Sequence, residues 1–256
     1  SVDRARAVRA LVDAHAAAVA RGGTRSGLAM AERAVELLEE DMPARTGDEA
    51  RHSLAMSLVL AGRAREAAPY FDGWRCPSVE EIAAEDLRGP RLISAPLTLQ
   101  RIGRTSDAGQ LVDVLLTACR RESAPGAKAL LLGMTTELWW WEGQWSRALA
   151  AATEAAVLGE QTGQPAIGWY SRAMAARVRA GQGDAQRCRE DAAWAQGEAR
   201  VHGFELVALY TSAALGLLEL GLGDPVAASA HLATAERFRQ TTDLADPTAV
   251  PFWANR

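Results

Sequence analysis

Six glycines set at nearly equal distances constrain this chain more than anything in its overall composition. Gly22, Gly62, Gly103, Gly143, Gly183 and Gly223 follow one another at separations of 40, 41, 40, 40 and 40 residues. Spacing alone is weak evidence in a chain with 22 glycines, so neighbouring columns must decide. Five residues after each anchor stand Gly27, Ala67, Ala108, Ala148, Cys188 and Ala228, all small. Twelve after each stand Ala34, Trp74, Leu115, Ala155, Ala195 and Ala235, small in four of six. Small residues at fixed offsets about a tight turn let two antiparallel helices approach closely, as a helical hairpin requires. A fixed period of this length marks a repeat architecture.

The segments around the anchors read as helices. "RAVRALVDAHAAAVA", "ARHSLAMSLVLAG", "YSRAMAARVRAG" and "LYTSAALGLLELG" are rich in Ala, Leu, Arg and Glu with helical apolar spacing, and strand signals are nearly absent. Asp184 and Asp224 follow their anchors as N-caps, and Pro225 suits a first helical position. Gly163 and Gly203 each lie 20 after an anchor and suit left-handed C-caps, so second helices should stop there.

A hairpin of this kind cannot cover its own apolar face, so the units must stack into a solenoid with a concave side. The expected fold is therefore all-α: an α-α superhelix of about six hairpins, forming one helical-repeat domain over residues 1–256. The repeats fall at 1–42, 43–82, 83–123, 124–163, 164–203 and 204–243, and 244–256 reads as the start of a truncated seventh, as in a piece of a longer protein. Residues 72–96 are the least regular, and Pro77, Pro90 and Pro96 should shorten or reposition helices there. That distortion reads as a packing irregularity before a functional loop.

Composition limits the functional classes. The net charge of −4 and the lack of a Lys/Arg stripe argue against direct nucleic-acid binding. No apolar stretch is long enough to cross a membrane, and no leader is visible. Cys76, Cys119 and Cys188 are odd in number and far apart, which suggests neither disulfides nor zinc and fits a reducing cytoplasm. His15, His52, His202 and His231 lack metal-ligand spacing and read as surface or packing residues. The acid pairs Glu39–Glu40 and Glu80–Glu81 read as solvated faces. No G-x-S-x-G or comparable nucleophile setting occurs, so neither a catalytic role nor a cofactor is expected.

Gly143, Trp145, Ala148 and Ala155 match the Gly, aromatic, Ala and Ala columns of the tetratricopeptide motif stretched to 40 residues. The stretch "RAGQGDAQRCREDAAWAQGEARVHGFELVALYTSAALGLLELGLGD" is similar to the helical-repeat region of large ATP-binding LuxR-type bacterial transcriptional regulators, the group that includes the maltose activator. The likeness covers residues 20–256. It implies a cytoplasmic sensor or effector-binding segment, with a P-loop ATPase before it and a helix-turn-helix domain after it. No G-x-x-x-x-G-K-S/T occurs in this sequence, so ATP hydrolysis is not assigned to it. A constitutive protein-interaction scaffold without an inducer is the alternative.

The sharpest local feature is "TELWWWEGQWSRAL" at 136–149, which holds four of the eight tryptophans within seven positions. Carried over from the tetratricopeptide pattern, the residue four before the turn glycine is core and those two and three before it face the concave groove. The resemblance thus makes Trp139 core and points Trp140 and Trp141 at the groove. Glu137 and Arg177, Met134 and Met174, and Tyr170 and Tyr210 occupy neighbouring groove columns by the same carry-over. Together they would form an exposed aromatic and Met-lined surface suited to a small inducer or a protein partner. Trp140 and Trp141 could instead fill a crevice beside the irregular repeats. A homodimer is left open.

Overall fold

The computed structural model describes residues 2–88, 91–242 and 244–245, and all regular structure among them is helical. The described residues divide into two compact units, one running to 122 together with 244–245, the other from 123 to 242.

The first unit holds α1 (Val2–Ala20), α2 (Thr24–Glu36), α3 (Ala44–Leu60), α4 (Ala64–Ala67), α5 (Arg91–Arg101) and α6 (Thr105–Arg121). In it α1 packs on α2 and α3, α3 packs on α2, α4 and α5, and α5 packs on α6. His15 of α1 is buried, with its Nε2 2.8 Å from Ser57 Oγ of α3, and burial pushes its pKa down to about 4. The second unit holds α7 (Pro125–Trp141), α8 (Trp145–Gln161), α9 (Pro165–Gln182), α10 (Ala185–His202), α11 (Glu205–Gly221) and α12 (Pro225–Thr242). Each of these packs on the next, and in addition α7 touches α9 and α9 touches α11.

The anchor glycines account for the turns. All six have φ between 73° and 87°, the left-handed region that a side chain disfavours. At Gly143 the amide donates to Trp140 O at 3.1 Å, and the next amide, Gln144, donates back to Trp139 O at 2.8 Å, so two orphan carbonyls of α7 are satisfied before α8 begins. The start signals also hold. Asp224 Oδ1 accepts from Ala227 N at 2.9 Å, the Asp184 side chain accepts from Arg187 N, and Pro125, Pro165 and Pro225 open their helices. The column five after each anchor is buried at all six positions, because a larger side chain there would hold the paired helices apart. A Cβ on Gly27, for example, would stand 2.9 Å from Val19 Cγ2.

The irregular segment is confirmed as irregular. Helix α4 has only four residues and gives way to 3-10 turns at Ala68–Phe71, Val79–Glu81 and Ala84–Arg88. Pro69 lies just past α4 and offers no N–H to continue it, a breaker that the reading by Pro77, Pro90 and Pro96 passed over. Pro96 does not end α5 but stands inside it, while Pro90 lies outside the described residues. Carbonyls freed from helical bonding need other donors. Two arginines at the ends of α6 supply them: Arg104, its N-cap, donates to Phe71 O at 2.8 Å, and Arg121, its last residue, donates to Val79 O at 2.6 Å and Ile82 O at 2.5 Å.

Candidate functional site

All eight residues expected at a groove lie in the second unit, on α7, α9 and α11. The last turn of α7 presents its three tryptophans in three directions, since neighbours on a helix are about 100° apart. Trp139 is 2% exposed, with the Arg147 guanidinium 4.3 Å over its ring. Trp140 is half-buried, and Trp141 is 44% exposed. The rings of Trp140 and Trp141 meet edge to face, with centroids 5.0 Å apart.

Beneath them sits Arg177 of α9. Its guanidinium carbon lies 4.1 Å from the Trp140 ring centre and 5.7 Å from that of Trp141, and its Nη1 donates to Glu137 Oε1 at 3.1 Å. The pair is deeply buried, Glu137 at 1% and Arg177 at 5% exposure. A charge so placed is stabilised by its counter-ion and by the indole faces together. Two donors remain without an acceptor among the described residues, Arg177 Nη2 and Trp140 Nε1. Trp145, 37% exposed, flanks the pair and donates its Nε1 to Trp140 O at 3.3 Å.

The other groove columns are largely covered. Tyr170, Met174 and Tyr210 are buried, as are Glu137 and Arg177, and Met134 is half-buried, so the continuous exposed surface expected from the carry-over is not present. The reason lies in the period itself. Residues 40 apart occupy equal offsets on successive first helices, and where those helices touch, equal offsets cover each other. Glu137 meets Arg177 in this way across α7 and α9, and Tyr170 meets Tyr210 edge to face at 5.4 Å across α9 and α11. What faces solvent is the indole edge formed by Trp141 and Trp145.

Two contributors escaped the carry-over. Trp145 enters the sequence pattern only as a repeat-motif aromatic, and Arg147, which packs on Trp139 across the turn, carries no sequence signal. Among the described residues no cluster of metal-ligating side chains occurs, and no helix is long and apolar enough to cross a membrane. Cys76, Cys119 and Cys188 form no disulfide among the described residues, and burial pushes the pKa of Cys188 up to about 12. No family model and no curated protein matches the chain.

Proposed function

We propose that this chain is the effector-binding or partner-binding helical-repeat segment of a LuxR-type bacterial regulator, built as a tetratricopeptide-like solenoid of six hairpins. The observation that carries a binding role is the corner of α7 and α9, where an exposed Trp141 leans on Trp140 over a buried guanidinium with an unmatched donor. Buried donors left without acceptors cost free energy, and a ligand oxygen admitted by a shift of the Trp140 and Trp141 rings would offset that cost at Arg177 Nη2 and Trp140 Nε1. The exposed indoles add contact area at small entropic loss. The periodic left-handed glycines and the buried small column support the solenoid. Binding there controls a parent protein only if affinity differs between two of its states.

A thermal-shift screen of small metabolites against the native chain and Trp141→Ala tests the reading. Compounds that raise the melting temperature of the native chain and not of the variant are the expected result, with competent ligands acting by mass action. A screen in which every stabilising compound acts equally on both proteins would place binding elsewhere. In a reporter strain, loss of induction by Trp141→Ala separates an inducer-gated regulator from a constitutive scaffold, which would lose partner capture without any inducer response.

A further inference from the structure

A cavity elsewhere in the same unit shares no lining residue with the tryptophan corner. It measures 640 Å³, within the usual range of small-molecule sites, and is formed by α10, α11 and α12 with the turn after α10. Its space comes from a missing side chain: Gly197 of α10 has nothing within 4 Å of where a Cβ would stand. Its apolar walls are Phe204 and Phe238. Left-handed Gly203 (φ 71°) turns the chain so that Phe204 stacks edge-on against Trp169, with centroids 5.3 Å apart, which fixes that wall in place.

Four polar side chains line it, and two of them are already engaged: Gln196 Nε2 donates to Thr211 Oγ1 at 2.8 Å, and Thr234 donates to Ala230 O at 3.0 Å, which leaves Arg200 and Ser212. Arg200 lies one turn beyond Gly197 on the same face of α10, and no acceptor of the described residues takes its guanidinium protons. Ser212 of α11 is only 2% exposed, lines the cavity, and has no hydrogen-bond partner among the described residues. No Asp or Glu lines the cavity. One unpaired cation, one buried hydroxyl donor and two phenyl walls complement an anion with an apolar tail, and a planar carboxylate suits the guanidinium fork.

We propose that this cavity binds a small monocarboxylate, its carboxylate held by Arg200 and Ser212 and its apolar body between Phe204 and Phe238. The body could be an aryl or an alkyl chain, so both are tested. Isothermal titration of the full chain with phenylbutyrate and with octanoate should show saturable binding of at least one acid. Phenylbutyramide and phenylbutylamine, which keep the body and lose the negative charge, should bind at least about tenfold more weakly than the acid. Arg200→Gln changes an exposed side chain with no ion pair among the described residues, so it should leave the melting temperature unchanged while costing about tenfold in acid affinity. Ser212→Ala should weaken binding several-fold, and Gly197→Leu, which fills the open space, should abolish it. The proposal is overturned if neither acid binds saturably, if the amide binds as tightly as the acid, or if Arg200→Gln or Gly197→Leu binds like the native chain.

Discussion

Trp139, Trp140 and Trp141 show how three identical neighbours take three roles from helical geometry alone. Trp139 lies in the interior under Arg147, Trp140 covers Arg177, and Trp141 projects into solvent. Truncation should follow that order. Trp139→Ala should cost about 3–5 kcal/mol, because a buried ring leaves a cavity as well as losing transfer free energy. Trp141→Ala should cost no more than about 0.5 kcal/mol, as at an ordinary surface site, and Trp140→Ala should fall between. Urea melts followed by far-ultraviolet dichroism give the ranking, and equal losses at Trp139 and Trp141 would refute these assignments. The core role of Trp139 is what the tetratricopeptide resemblance implies for the residue four before Gly143. The burial of Glu137 and Arg177 was not legible, because offsets within one repeat say nothing of which columns meet between repeats. That information sits in the pairing of residue 137 with 177, visible only when the period is used to compare two repeats rather than to superpose them.

At the scale of the element, turn chemistry was the most legible part of the sequence. Gly163 and Gly203 end α8 and α10 in left-handed conformations, as their positions 20 after an anchor require. The same position after Gly103 is Ser123, which takes φ 49° and is the one non-glycine with positive φ among the described residues. A side chain in that region costs about 1–2 kcal/mol, while glycine gives up about 0.5–1 kcal/mol through the unfolded chain. Ser123 is exposed and loses nothing else on substitution. Ser123→Gly should therefore raise stability by about 0.5–1 kcal/mol, read as a higher urea midpoint at unchanged slope. An unaltered or lower midpoint would show that the strain is relieved locally. The shortness of α4 was less legible, since the anchor at Gly62 and small Ala67 announce a full second helix that Pro69 then stops.

For the whole molecule, the all-helical class could be read directly, because helix formers and glycine punctuation agree along most of the chain. The division after residue 122 could not. The anchor columns run across it without a break, and the difference lies in packing that no column records. Within the second unit every helix from α7 to α11 packs on its successor, and the buried contacts Glu137–Arg177 and Tyr170–Tyr210 are internal to it. A chain of nearest-neighbour interfaces keeps its stability when all the interfaces it depends on are retained. The fragment 123–242 should accordingly fold by itself, with a helical dichroism spectrum and a cooperative urea transition corresponding to about 5–15 kcal/mol, the ordinary range for a domain. Trp139→Ala should destabilise this fragment by as much as it destabilises the full chain, since Trp139 and Arg147 both lie inside it. A fragment that melts without a sigmoidal transition, or that tolerates Trp139→Ala, would mean that the core of residues 123–242 draws on contacts made outside them.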